Sequence, residues 1–170
     1  PMPAPAWAPQ TPASVAMGYE MSATPLQIAM AYAAIANGGD LVQPALVQSI
    51  QDADGRARFT HQRQVVRRVM QPQTASLMRT ILASVVDSGT AVAADLATFD
   101  VAGKSGTARR ADHGRYDGRS YNATFAAMFP AQEPQYVVVV RFIDPQGTIF
   151  GGTVAGGVVK AILQSALATR

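Results

Sequence analysis

Four consecutive residues concentrate reactive chemistry: Lys104, Ser105, Gly106 and Thr107 place an ammonium, two hydroxyls and a glycine side by side. With Val101-Ala102-Gly103 before them and Ala108-Arg109 after, they read as an extended strand. Side chains on a strand alternate between faces, so Ser105 and Thr107 share one face and Lys104 and Gly106 the other. Two hydroxyls at that spacing, with an ammonium close by, can hold a carboxylate. Gly106 removes a side chain where another backbone or a ligand must come close. Two plainer readings stay open at this point. Gly103-Lys104-Ser105 imitates the end of a phosphate-binding G-x-x-x-x-G-K-[ST] loop, although the first glycine of that pattern falls on Thr98 and Gly106-Thr107 begins a helix poorly. The other is an ordinary edge strand with a solvated lysine. Of the 14 basic residues only Lys104 and Lys160 are lysines, so arginine is the usual surface cation of this chain.

The elements that must carry this strand are legible on both sides of it. Residues 1–13 hold five prolines and read as an extended lead-in, with Trp7 suggesting that the segment packs down on something. Thr24-Pro25-Leu26-Gln27 is a helix start: Thr24 as N-cap, Pro25 at the first helical position and Gln27 closing a capping box. The apolar residues from Leu26 to Ile35 predict a mostly buried helix over 25–36, ended by Asn37-Gly38-Gly39. Leu41 to Ile50 reads as extended, Asp52-Ala53-Asp54-Gly55 as a turn and Arg56 to Thr60 as the returning strand of a hairpin. Val65 to Met70 is a further short extended piece. Pro72 opens a second helix through Val86, with apolar residues at helical spacing.

Beyond the four-residue signature, the polar stretch from Ala111 to Asn122 reads as an exposed loop. Ala123 to Phe129 and Tyr136 to Ile143 read as strands, and the run Val137 to Val140, apolar on both faces, predicts the covered middle of a sheet. Gly151-Gly152 precede a final helix over Val154 to Leu167. The predicted fold class is α+β: an antiparallel sheet carrying packed helices.

The 170 residues suffice for one domain with a core, and a 48% hydrophobic content is that of a globular protein. The 15% charged content is low, which predicts that part of the surface is covered by another segment or partner. The net charge of +3 comes from scattered arginines, and the nearest approach to a cluster, Arg63, Arg67 and Arg68, lacks interleaved aromatics; no nucleic-acid partner is expected. Cysteine is absent, which excludes disulfides and thiolate metal sites. His61 and His113 stand alone, so no metal and no cofactor is assigned. No apolar run reaches membrane-spanning length. The Pro1-Met2-Pro3-Ala4-Pro5 opening reads as the interior of a longer protein, with any export signal or anchor upstream.

Lys104-Ser105-Gly106-Thr107 resembles the third signature, K-[ST]-G-[ST], of penicillin-binding proteins and serine β-lactamases. The flanks extend the likeness. Gly18-Tyr19-Glu20-Met21-Ser22-Ala23-Thr24-Pro25-Leu26-Gln27 resembles the segment leading into the "TPLQ" helix of penicillin-binding transpeptidases. Ala123-Thr124-Phe125, Phe129-Pro130-Ala131, Tyr136 to Val139 and Ile143-Asp144-Pro145 are similar to the strands that follow the signature in the class B, cell-division branch. The resemblance runs from about Ser14 to Leu163 and makes residues 1–170 look like the C-terminal portion of a transpeptidase domain, with 101–170 its catalytic-sheet strands and last helix.

The resemblance implies a D,D-transpeptidase that crosslinks peptidoglycan stem peptides through a serine acyl-enzyme and is acylated by β-lactam antibiotics. It implies that Lys104 favours the substrate carboxylate, that Ser105 and Thr107 hydrogen-bond it, and that Gly106 belongs to the same substrate-binding strand. The Thr107 backbone N–H would supply half of an oxyanion hole. Partners implied are the upstream part of the same domain, a polytopic glycosyltransferase and other division proteins. The implied location is extracytoplasmic, with a membrane anchor upstream. There are departures. No Ser-x-x-Lys occurs in the 170 residues, so the nucleophile lies outside them. Ser120-Tyr121-Asn122, the only S-x-N, follows the Lys104 signature instead of preceding it and is read as chance. Glu20 replaces a usual glycine, and Gly156-Gly157 stand where Ala-Pro is common. A degenerate relative serving as a binding module at the division site, and a β-lactamase or β-lactam sensor, are the alternatives.

Overall fold

A computed structural model describes residues 7–89, 92–95, 100–112 and 115–168. In chain order the elements are α1 (Thr11–Ala16), α2 (Pro25–Ala36), β1 (Asp40–Val42), β2 (Ser49–Gln51), β3 (Ala57–Thr60), β4 (Val65–Arg68), α3 (Pro72–Ser88), a 3-10 turn (Val92–Ala94), β5 (Ala102–Asp112), β6 (Arg115–Phe129), β7 (Tyr136–Ile143) and α4 (Gly151–Ala168). All strand pairs are antiparallel, and the fold is α+β as expected.

Local chemistry places the helix starts. Thr24 Oγ1 accepts the Gln27 N–H at 3.2 Å, and Gln27 Oε1 accepts the Thr24 N–H at 2.8 Å, so the capping box satisfies two otherwise orphaned donors. The helix ends as predicted, with Gly39 at φ +108° and its N–H donated to the Ala34 carbonyl at 2.7 Å. A Cβ there would lie 2.1 Å from the Met70 carbonyl oxygen, which explains the glycine. The burial of α2 is less than the sequence suggests. Only Ala34 and Ile35 are buried, and Leu26 is 54% exposed, because neighbours cover one side of a helix that is apolar all round.

Further expectations are corrected. The proline-rich lead-in is not wholly extended: α1 forms at Thr11–Ala16, and Pro12 is tolerated because the first-turn N–H it lacks would have no helical partner. Residues 1–6 lie outside the described residues. The stretch 41–50 is not one strand. Pro44 cannot donate to a ladder; β1 pairs with β4, and only β2 joins β3 in the predicted hairpin around Asp52. There Asp52 Oδ1 accepts the N–H groups of Asp54 and Arg56 at 3.1 and 2.9 Å.

The third correction is the largest. The stretch 111–122 is not simply a loop, because β5 runs on to Asp112 and β6 begins at Arg115, with Asp112 opposite Arg115 and Ala111 opposite Tyr116. A two-stranded arm is held by backbone pairing and requires no apolar face, so its sequence carries no hydrophobic alternation. His113 lies outside the described residues.

The main sheet has the order β5-β6-β7, which places β7 at an edge among the described residues and not in the middle, the position expected from its valines. The apolar character on both faces is explained by helices. Val138, Val140 and Phe142 pack with Phe125, Phe129, Val159 and Leu163 under α4. Val137 packs with Ile35, Leu82, Met128 and Ala131 under α2 and α3. The sheet is therefore a middle layer between helices. The α4 helix starts at Gly151, three residues before its predicted beginning, so the two glycines are its first turn.

Candidate active-site strand

The signature lies on β5 as predicted, and its register assigns the faces. Ser105 stands opposite Phe125 and Thr107 opposite Ala123; Lys104 stands opposite Ala126 and Gly106 opposite Thr124. Phe125 belongs to the core beneath α4, and Ala102 and Met128 belong to the core beneath α2 and α3. Ser105 and Thr107 thus share the α4 face, while Lys104 and Gly106 share the opposite one. Phe125 and Val101 are fully buried, so the strand is anchored by its neighbours while Lys104, Gly106 and Thr107 stay exposed.

Among the described residues β5 has no strand on its second side. The Lys104 side chain curls around that open edge: its Nζ donates to the Ser105 carbonyl at 2.8 Å and approaches Ser105 Oγ at 3.4 Å. Strand alternation alone separates ammonium from hydroxyl by a sheet face; four flexible methylenes bring them back together across the edge. Because the Ser105 carbonyl is met there, antiparallel alternation puts the N–H and carbonyl of Thr107, two residues on, at the same edge.

No neighbouring backbone crowds the Cβ position of Gly106 among the described residues, which leaves that space open on the strand. A Cβ there would meet only Thr124 Cβ, at 3.9 Å, an ordinary contact. The crowded glycines around the signature are Gly103, where a Cβ would lie 2.8 Å from Phe125 Cε1, and Gly151, where it would lie 2.3 Å from the Gly106 carbonyl oxygen. Sequence reasoning missed Gly151, which donates its N–H to Thr107 Oγ1 at 3.0 Å. The Gly151-Gly152 pair was the available signal, since two glycines opening a helix are costly without a packing reason.

Further along the same strand, Arg110 pairs with Asp144, which adopts φ +50° at the end of β7. Asp144 Oδ1 also accepts the Tyr121 N–H at 2.9 Å, so one carboxylate ties β5 to β6. Arg141 Nη2 donates to Asn122 Oδ1 at 3.0 Å. A cleft of about 870 Å³ opens beside these arginines, between the sheet and the lead-in, lined among others by Trp7, Tyr19, Glu20, Ala108, Arg109 and Arg141. Glu20, at φ +55°, accepts from the buried Thr11 hydroxyl at 2.8 Å, which ties α1 to the segment leading into α2.

Comparison with known proteins agrees with this arrangement over nearly the whole chain. The family model described as the penicillin binding protein transpeptidase domain matches residues 2–164. A probable peptidoglycan D,D-transpeptidase of Pseudomonas aeruginosa is 36% identical over 163 residues, covering 95% of this chain and 27% of the relative. The apo transpeptidase domain of Burkholderia pseudomallei penicillin-binding protein 3 superposes with a TM-score of 0.84 at 34% identity, covering 99% of this chain and 49% of that one. Penicillin-binding protein 3 of Mycobacterium tuberculosis, solved with aztreonam, superposes with a TM-score of 0.88 at 29% identity, covering 99% of this chain and 40% of that one. The chain spans 24% to 28% of the length of the first three curated relatives it matches. It belongs to the penicillin-binding protein transpeptidase domain family.

Proposed function

We propose that this chain is the carboxylate-anchoring portion of a serine D,D-transpeptidase that crosslinks peptidoglycan stem peptides, and that the upstream part of the same domain supplies the nucleophile. The observation that carries the reading is the exposed edge of β5, where the Lys104 ammonium lies 3.4 Å from the Ser105 hydroxyl, with Thr107 on the same face as Ser105. A serine from the upstream Ser-x-x-Lys attacks the penultimate D-alanine carbonyl, forming the acyl-enzyme and releasing the terminal D-alanine. The Ser105 and Thr107 hydroxyls hold the terminal carboxylate, and Lys104 favours it electrostatically. As the carbonyl oxygen becomes an oxyanion, the Thr107 N–H at the open edge donates to it; such preorganised donors contribute about 3–4 kcal/mol in other enzymes. A penicillin carries a carboxylate and a strained carbonyl in the same relation, and a relative from Mycobacterium tuberculosis solved with ampicillin supports the reading that this family takes such ligands.

The upstream part of the domain packs on the Lys104 face, where the cleft beside Ala108 and Arg109 stands open. The intact protein works outside the cytoplasmic membrane, held by an upstream anchor, beside a polytopic glycosyltransferase and other division proteins. Among the described residues no helix is long and apolar enough to cross a membrane.

Labelling of the intact protein with a fluorescent penicillin tests the role of Lys104. Lys104→Ala is expected to slow acylation by about 10²–10³-fold, the loss seen for other preorganised electrostatic contacts. Near-normal labelling overturns the assignment. The alternative reading is a binding module on the same fold. The reading frame upstream of Pro1 decides between them: a Ser-x-x-Lys followed by a Ser-x-Asn supports the enzyme, and their lack supports the module.

A further inference from the structure

The Thr107 hydroxyl is held from behind by the first residue of α4. Gly151 is buried and donates its N–H to Thr107 Oγ1 at 3.0 Å. An added Cβ at Gly151 would lie 2.3 Å from the Gly106 carbonyl oxygen, 2.5 Å from the Thr124 carbonyl oxygen and 2.9 Å from the Thr124 nitrogen. All three are backbone atoms of β5 and β6, which cannot swing aside as the tip of a side chain would. Only glycine lets the helix begin directly on the backbone of the signature strand.

The first N–H groups of a helix have no partner inside it, so the Gly151 N–H is available to the hydroxyl. A hydroxyl has one proton and two lone pairs. With one lone pair taken from the α4 side, the proton is left to point away from α4, toward the open edge where the carboxylate lies in the function proposed above. The accepted bond also polarises the O–H, making it a better donor. The N-terminus of α4, an 18-residue helix, adds positive potential on the same side.

We infer that Gly151 is a positioning residue: its N–H and its missing side chain set the Thr107 hydroxyl to donate to the substrate carboxylate. The inference rests on the carboxylate role of Thr107. It adds that α4 is part of the recognition of the carboxylate and not only a cover for the sheet.

The test is the acylation rate of the full-length protein with benzylpenicillin and with its methyl ester, in which the carboxylate is masked. Gly151→Ala is expected to slow the free acid about tenfold more than the ester, the effect of losing one charge-assisted hydrogen bond, whatever slowing the displaced strand imposes on both. Thr107→Val lowers the acid-to-ester ratio to a similar degree, and adding Gly151→Ala lowers it no further. Thr107→Ser, which keeps the oxygen, retains the ratio. Equal slowing of acid and ester by Gly151→Ala overturns the inference, since that is the mark of a merely structural glycine. An unchanged ratio in Thr107→Val overturns the carboxylate reading itself, and the inference with it. If Gly151→Ala does not fold, hydrogen exchange at the Gly151 amide decides. Slow exchange in the wild type that is lost in Thr107→Val supports the bond, and no difference between the two removes it.

Discussion

Phe125 and Phe59 both sit on antiparallel strands, yet Phe125 on β6 is fully buried and Phe59 on β3 is 47% exposed. The strands differ in what lies above and below them. β6 is the centre of three strands, with α2 and α3 on one face and α4 on the other. β3 belongs to a two-stranded ribbon, and every residue of β3 and β4 is exposed. Strand formation alone buries little; a hydrophobic face is withdrawn from water only when a second layer covers it. The rigid layer lies under the signature, and the thin ribbons lie away from it. That division suits the role proposed for the strand, in which hydroxyls and an N–H are held in place without reorganising.

The comparison breaks if the two phenylalanines respond alike to truncation. Phe125→Ala is expected to cost about 3–5 kcal/mol, through lost transfer energy and a cavity that the core beneath α4 cannot close. Phe59→Ala should cost under about 1 kcal/mol, and denaturant titration of both variants measures the gap. Next in size is a pH effect on the packed side. Burial pushes the Tyr32 phenol up to about 12, while in the unfolded chain it titrates near 10.0. The folded state therefore keeps a proton that the unfolded state has lost. The stabilisation, about 2–3 kcal/mol at most, is complete below the unfolded value and disappears as pH rises through about 12. Tyr32→Phe should flatten stability between these limits; an unchanged alkaline slope assigns the loss to other groups. A smaller effect than that of Phe125 or Tyr32 is expected at the mouth of α2. Thr24→Ala removes the cap and should lower stability by about 1 kcal/mol, with Thr24→Ser restoring most of it.

Features decided within a few residues were legible in the sequence. The capping box of α2, the Pro72 start of α3, the Asp52 turn and the placing of the signature on a strand all follow from neighbouring side chains and backbone. The sharing of a face by Ser105 and Thr107 follows from the two-residue period of a strand. The resemblance to the family rests on the same local spacings and holds across the chain. What was missed depended on partners distant in sequence. The arm formed by β5 and β6 is held by backbone pairing, to which side-chain patterns are blind. Whether β7 lies in the middle or at an edge depends on what pairs with it, while its valines record only what covers its faces. The Arg79 guanidinium donating to the Ile35 carbonyl at 3.3 Å, across 44 residues, left no mark on either local sequence.

At the site the division is the same. Residue type and spacing by themselves determined which groups can meet a carboxylate, because those properties are carried by four adjacent residues. The tertiary structure alone decided that Lys104 reaches Ser105 around an open edge and that Gly151, 44 residues beyond Thr107, holds the hydroxyl from behind. Packing two layers brings atoms together that the chain keeps apart, and only there can a backbone N–H be aimed at a side chain so far from it in sequence.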